Sequence, residues 1–280
     1  MRLLLTAPGY LPYTFSENLC NGKLAYAMYK KGWHVDVLSK VDEGPAYSTE
    51  WTEPWLPLKK NNITITYPVG GKLTRMWDVL RSSVKLGMYP EGGVRWACRA
   101  YELALKLCKE NHYDAVLTRS PSDIPHIIGL RLKEKLGIRW IANWNDPAAP
   151  IWPEPYTHHF SAKEQARRDQ FTRMCLKGAD VNTFPSESLL EHFTSHYPFL
   201  AELKTEVIPH IALVEDIVPR LKVKPVNDKF RMCHSGNLSK ERNPELTFKA
   251  LRELIDEGFN KMEFSIMGHF DDYTTELIRI

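Results

Sequence analysis

The chain has 280 residues, 43% hydrophobic and 25% charged, with 19 Pro and 15 Gly. That composition is globular, excludes disorder, collagen-like repeats and coiled coil, and allows one large domain or two small ones. Lys plus Arg number 37 against 34 Asp plus Glu, a net charge of +3, too balanced for neutralising many phosphates, so nucleic acid is not an expected partner.

The first forty residues read as a βαβ unit. Leu3–Ala7 is a short continuously apolar run, as in a parallel strand covered on both faces. Residues 8–17 form a loop, and Asn18–Lys31 has helical spacing and ends at Gly32 as a C-cap. Val35–Leu38 is the second strand, parallel to the first through a right-handed crossover. Downstream the pattern repeats: strand Ile63–Val69, helix Val94–Lys109, strand Ala115–Thr118, helix Ile124–Leu136 and strand Ile138–Asn143. Helix Ala162–Lys177, strand Asp180–Thr183, helix Ser186–His192 and strand Glu206–Ile208 follow. This alternation predicts an α/β fold with a doubly wound sheet over residues 1–212.

The pattern then lapses, and residues 213–228 read as a linker containing Pro219 and Pro225. A second alternation occupies 229–280: strand Phe230–His234, helix Pro244–Asp256, strand Met262–Met267 and a last segment Asp272–Ile280. A unit of roughly 60 residues with two parallel strands is marginal by surface-to-volume scaling, which predicts the beginning of a domain rather than a whole one.

The five cysteines, Cys20, Cys98, Cys108, Cys175 and Cys233, are scattered and form no Cys-x-x-Cys pair. Neither a disulfide framework nor a zinc ribbon is expected, and a reducing, cytoplasmic setting is. The apolar start Met1–Ala7 is too short for a signal peptide. No apolar run approaches the roughly 20 residues that span a bilayer. His158-His159 has no carboxylate or thiol at ligand spacing, so no metal site is predicted. A G-x-S-x-G elbow is also absent.

In a doubly wound sheet, ligands bind beyond the carboxyl ends of the strands. The first such loop, Pro8 to Asn18, lacks the G-x-G-x-x-G dinucleotide fingerprint. Thr14, Ser16 and Glu17 could still hold a phosphate or sugar at the start of the helix, with Ser16 as a plain N-cap the competing reading. Asp146, between a buried strand and Pro147, either accepts hydrogen bonds from sugar hydroxyls or caps a turn. The loop His234 to Pro244 sets Gly236 and Asn237 before Lys240 and Arg242 and a helix start. Close backbone approach, a helix dipole and a guanidinium fork are what a diphosphate needs, and Gly268 falls beside them. A solvated basic loop is the alternative.

Residues 72–88 place Leu73, Met76, Trp77, Leu80, Val84 and Met88 on one helical stripe flanked by Lys72, Arg75, Arg81 and Lys85. Such a helix either packs its stripe on the core, the commoner use, or makes a peripheral contact with an anionic membrane surface.

Together these blocks resemble glycosyltransferase family 4, the large retaining group of GT-B-fold enzymes, and within it a bacterial surface-polysaccharide type. Leu24-Ala25 with Gly32-Trp33-His34-Val35-Asp36-Val37 opens the series, and Tyr89-Pro90-Glu91, Trp96 and Tyr113-Asp114-Ala115-Val116 continue it. Gly137–Ala142 with Asp146-Pro147, Ala179-Asp180-Val181 with Ser186-Glu187, and Val207-Ile208-Pro209 follow in order. Gly236-Asn237-Leu238 with Arg242-Asn243-Pro244-Glu245 resembles the opening of the family's nucleotide-sugar domain.

The resemblance implies a GT-B fold and transfer of a hexosyl-type sugar from a nucleoside-diphosphate donor to a glycan or lipid-linked acceptor. It further implies no metal or other cofactor and a role in polysaccharide biosynthesis, and the cytoplasmic setting read above would put any peripheral contact of residues 72–88 on the inner membrane face. Gly236, Asn237, Lys240, Arg242 and Gly268 would hold the donor. Asp146 and Arg242 would be catalytic, with Asp146, Ser16 and Glu17 on the acceptor side. The sequence departs from the family at Phe15-Ser16, where a glycine pair is usual, at His210 in place of Asn, and at Asn237 in place of Arg. The family's donor-gripping E-x7-E segment would lie beyond Ile280. A chain lacking it would be a non-catalytic acceptor-domain fragment that binds glycan or a partner without turnover. A sugar-phosphate phosphatase or an epimerase is a further alternative.

Overall fold

The computed structural model describes residues 1–12, 16–40, 56–66, 70–120, 123–212, 229–242 and 244–279. The expected linker 213–228 lies outside them, as do Thr14, Asn243 and the end of the expected strand at 67–69. The chain divides into two units: Met1–Pro153 with Thr157–Pro219, and Glu154–Tyr156 with Arg220–Ile280.

Unit 1 is a seven-stranded sheet of β1 (Arg2–Thr6), β2 (His34–Lys40), β3 (Asn62–Ile65), β4 (Ala115–Arg119), β5 (Trp140–Asn143), β6 (Val181–Phe184) and β7 (Thr205–Val207). Every neighbouring pair is parallel, in the order β3-β2-β1-β4-β5-β6-β7. The order turns back between β1 and β4, so all seven carboxyl ends share one rim and the switch point falls at the loops leaving those two strands.

Strand periodicity sorts side chains between two cores. Leu3, Leu5, Val35, Val37, Ala115 and Leu117 pack under α1 (Ser16–Lys30). Leu4, Leu38, Val116, Trp140 and Ala142 face the opposite core, shared with α4 (Val94–Glu110), α5 (Pro125–Leu136), α6 (Ala162–Gly178) and α7 (Glu187–His196). A period of two in each strand produces this division, and burial on both faces explains the nearly continuous apolar runs.

Several expected boundaries move. Helix α1 begins at Ser16 rather than Asn18, which places Ser16 inside the first turn. β5 begins at Trp140 rather than Ile138, because Gly137 takes a left-handed C-cap and two residues are spent leaving α5. Helix α7 runs on to His196, with the Ser186 hydroxyl accepting from the Leu189 amide as N-cap.

The helix α3 (Lys72–Leu86), which follows the single turn α2 (Leu56–Lys59), settles which face its stripe presents. Its contact with the domain is made by Ser82, Ser83 and Leu86, all buried. Leu73, Trp77 and Val84 are 72%, 66% and 75% exposed, and Met76 and Leu80 are exposed as well. Five of the six stripe residues thus face outward, against the core-packing use, and Met88 alone is half-buried against the core. Arg95 bonds Asp78 at 2.5 Å and Lys85 pairs with Glu102, so ion pairs and small serines fasten α3 to α4 while its apolar side stays outward.

Unit 2 contains β8 (Phe230–Ser235) and β9 (Met262–Met267), paired in parallel, with α8 (Glu245–Asp256) and α9 (Asp272–Arg279). The last segment of the chain, left unassigned by the sequence pattern, is the helix α9. Among its described residues only Leu238, Pro244 and Thr274 are buried.

The tightest helix–sheet contact in unit 1 lies at Gly129. A Cβ there would overlap the indole of Trp140, whose Nε1 donates to Thr118 Oγ1 at 2.8 Å in the buried core. Gly129→Ala is expected to lower stability by about 2 kcal/mol in urea unfolding, by forcing α5 off the sheet or Trp140 out of its rotamer. An unchanged midpoint would show that the contact yields freely.

Candidate functional site

At the carboxyl rim of unit 1, three loops meet around a buried guanidinium. Arg119 ends β4 with only 5% of its surface exposed. Its Nε donates to Glu17 Oε1 at 3.1 Å and its Nη2 to Asn145 Oδ1 at 2.6 Å. Asn145 Nδ2 closes the triangle on Glu17 Oε2 at 2.7 Å, and the Asn145 amide donates to Ser120 Oγ at 2.7 Å. The start of α1, the end of β4 and the exit of β5 are thus one network of charge-assisted bonds. Burial pushes the Glu17 carboxyl above its ordinary value, and Arg119 opposes the rise.

Asp146 follows in the same loop and is half-buried. Burial raises its carboxyl too, against the Asn145 hydrogen bond and the fields of His210 and Arg119. His210, beyond β7, is held below its ordinary value by burial and by Arg119 and Lys23, while Asp146 pulls the other way. The first loop is pinned to α1 by carboxamides: Asn18 Nδ2 donates to the Tyr10 carbonyl at 3.0 Å and Asn21 Nδ2 to the Gly9 carbonyl at 2.7 Å.

The expected residues Glu17 and Asp146 therefore come together, Ser16 stands exposed at the first residue of α1, and Thr14 lies outside the described residues. Sequence reasoning missed Arg119, Asn145 and His210 as members of this cluster. The available signal was an arginine closing the otherwise uncharged strand Ala115-Val116-Leu117-Thr118.

In unit 2, the turns after β8 and β9 lie against each other. Gly236 has φ +143° and Gly268 φ +156°, and a Cβ on Gly268 would overlap the Gly236 carbonyl. Only glycine permits that approach. The Gly236 amide donates to the Met267 carbonyl at 2.8 Å, and the His269 amide to Asn237 Oδ1 at 3.2 Å. Asn237 thus spends its side-chain carbonyl on holding the two turns together. Asp271 takes the Lys240 amide at 2.7 Å and the Thr274 amide at 2.8 Å, one carboxylate oxygen for each.

Lys240 and Arg242 are exposed in a short 3-10 turn, Lys240–Arg242. Arg242 also borders a cavity of about 420 Å³ with His234, Thr247 and Phe264. Two glycines that let a ligand approach the backbone and two exposed cations, gathered at the ends of adjacent parallel strands, form a surface suited to an oxyanion. Among the described residues no group of three His, Cys, Asp or Glu could hold a metal ion.

Removing Arg119 leaves the Glu17 carboxylate enclosed without its cation. Arg119→Met is expected to cost about 3 kcal/mol of unfolding free energy at pH 8. The cost should shrink toward pH 5, because a Glu17 carboxyl raised further by the loss takes up a proton as pH falls and is then neutral in the folded state. Urea titrations at the two pH values test this, and an equal cost at both would mean that Arg119 acts through packing alone.

The sequence profile of Glycosyltransferase Family 4 matches residues 22–211. Sucrose-phosphate synthase from Thermosynechococcus elongatus superposes with a TM-score of 0.58 at 14% identity, over 100% of this chain and 66% of that one. HepE from Anabaena, solved in complex with UDP and glucose, gives 0.58 at 15% identity, over 100% of this chain and 65% of that one. The N-terminal domain of trehalose-6-phosphate phosphatase from Candida albicans gives 0.53 at 12%, over 99% and 66%. At such identities the likeness is one of fold, and the chain spans about two thirds of the length of these structures. No curated protein matches the sequence. The doubly wound sheet with a second, smaller α/β unit is the GT-B class expected from the sequence. With the family profile running from within α1 to just past β7, the chain belongs to glycosyltransferase family 4.

Proposed function

We propose that this chain takes part in moving a hexosyl-type sugar from a nucleoside-diphosphate donor to a hydroxyl of a glycan or lipid-linked acceptor, in polysaccharide biosynthesis. The family match over 22–211 carries the reading, and the complex of HepE with UDP and glucose supports a nucleotide-sugar donor. The anomeric C–O bond to the diphosphate breaks, the acceptor oxygen takes its place with retention, and the acceptor's proton leaves with the diphosphate. No metal is needed in this scheme, since fixed cations and turn amides can carry the departing charge.

In unit 2, Arg242 and Lys240 stabilise the diphosphate, and Gly236 and Gly268 let backbone amides approach it. Asn237, whose side-chain carbonyl is engaged by the His269 amide, has its NH2 left to offer. In unit 1, Asp146 accepts from the acceptor hydroxyl, and Ser16 and Glu17 border the same rim. The outward apolar stripe of α3, flanked by exposed Lys72, Arg75 and Arg81, supports a peripheral contact with the anionic inner face of a membrane. No described helix is long and apolar enough to cross one.

Calorimetry with UDP and GDP, followed by transfer assays with the corresponding labelled sugars, tests the donor reading. Arg242→Ala is expected to lower kcat/KM by roughly 2–4 kcal/mol of transition-state stabilisation. An unchanged kcat/KM would take Arg242 out of the mechanism, and nucleotide binding without any turnover would favour a binding module instead.

Flotation with phosphatidylglycerol vesicles tests the membrane contact. Wild type should rise with the vesicles and a Trp77→Ser, Leu80→Ser variant should not. A wild-type chain that stays at the bottom of the gradient ends that part of the reading.

A further inference from the structure

Unit 1 contains a second cavity, of about 790 Å³, that the transfer scheme does not use. It is framed by the α3–α4 connection, the start of α5, the turn after β5 and the first half of α6. Its size falls within the range of small-molecule sites.

The polar groups along its wall are held in place. Arg168 bonds Glu91 at 3.0 Å through one Nη and Glu164 at 2.9 Å through the other. Its guanidinium also lies over Phe160, 4.4 Å from the ring centroid. Arg168 is thereby committed, and what it fixes is Glu91, whose carboxyl burial raises and Arg168 holds back. Asp123, at the start of α5, accepts from the Ala149 amide at 3.0 Å, and burial pushes its carboxyl up to about 7.

Arg167 spreads its guanidinium 3.3 Å from the centroid of the Tyr89 ring. Its Nε is buried and has no hydrogen-bond partner among the described residues. That nitrogen is turned away from solvent, and the guanidinium, stacked on Tyr89, is the part of Arg167 that belongs to the cavity lining. Half-buried Trp152 adds a second aromatic surface, and Ile124 and Phe171 keep part of the lining dry.

This chemistry selects among ligands. A phosphate or carboxylate would meet Glu91, Asp123 and Glu164 with one guanidinium already doubly paired and the other stacked on Tyr89, a poor balance for an anion. A purely apolar ligand would set hydrocarbon against the Glu91 and Asp123 carboxyls and the Arg167 guanidinium, which line the cavity. An uncharged polyhydroxylated ring suits all of them. Its C–H face packs on tyrosine or tryptophan, its hydroxyls can donate to an ionised carboxylate or accept from a protonated one, and its oxygens accept from a guanidinium N–H.

We infer that this cavity binds a neutral sugar ring, packed against Tyr89 and Trp152, with hydroxyls bonded to Glu91 and Asp123 and an oxygen accepting from the Arg167 guanidinium. As a seat for part of the acceptor glycan this rests on the transferase reading above. As a sugar site it does not.

Saturation-transfer NMR on the full chain, with the methyl glycosides of glucose, galactose, mannose, fucose and N-acetylglucosamine as probes, tests it. At least one probe should receive saturation, and Tyr89→Ala and Glu91→Gln should each weaken that binding tenfold or more at an unchanged melting temperature. Glu91→Gln keeps a side chain that Arg168 can still bond, so it serves if Tyr89→Ala fails to fold. Silence from all five probes, or binding that stays within tenfold of wild type in the folded variants, overturns the inference. UDP titration of the same samples separates the two proposals. Sugar binding without UDP binding sinks the donor reading alone, whereas UDP binding and transfer without sugar binding in this cavity sink the inference alone.

Discussion

A guanidinium buried at the end of β4 organises the carboxyl rim of unit 1. Parallel strands deliver their exit loops to one edge, but topology alone does not hold those loops in register with one another. Arg119 does so by satisfying Glu17 and Asn145 together while they satisfy each other. A buried ion pair of this kind is weak as a source of net stability, since desolvation consumes much of the Coulomb gain. Its value is geometric: the start of α1 and the exit of β5 cannot shift independently. Asp146, one residue beyond Asn145, inherits its position from that network, and its raised carboxyl reports the same enclosure.

Unit 2 reaches a comparable precision by the opposite means. Where the rim of unit 1 uses charge, the turns after β8 and β9 use the absence of side chains: Gly268 lies against the Gly236 carbonyl, and amides of Gly236 and His269 bond across the pair. Backbone packing of this kind leaves room beside the turns for neighbouring side chains to extend. The two exposed cations in the turn that follows can then act on a ligand rather than on the fold.

Much of the fold was legible because it rests on periodicity. Leu3–Leu5, Val35–Leu38 and Ala115–Thr118 are buried on both faces and therefore read as apolar runs, and helices such as α4 show their stripe plainly. The cluster around Arg119 was not legible, because its members lie far apart in the chain, at positions 17, 119 and 145, and no local pattern marks an arginine as buried. The face of α3 was also hidden. Periodicity reveals that a stripe exists, but the deciding contacts are serines 82 and 83 and the ion pairs to α4, which composition marks as surface. Asn237 illustrates a third case: its position was anticipated, but its side-chain carbonyl serves the neighbouring turn, a bond invisible without the register of β8 against β9.

The distribution of cations divides the labour between the units. In unit 1 the guanidiniums near ligand-sized space are engaged: Arg119 with Glu17 and Asn145, Arg168 with Glu91 and Glu164, and Arg167 with the Tyr89 ring. Such groups position carboxylates and aromatic rings, which suits hydroxyl-rich partners. Arg242 is exposed and makes no ion pair among the described residues, and Lys240 is exposed on the same turn. A diphosphate leaving group gathers charge as it departs and needs cations that are not already neutralised. That difference supports the proposed scheme, in which unit 2 holds the phosphate and unit 1 the sugar hydroxyls.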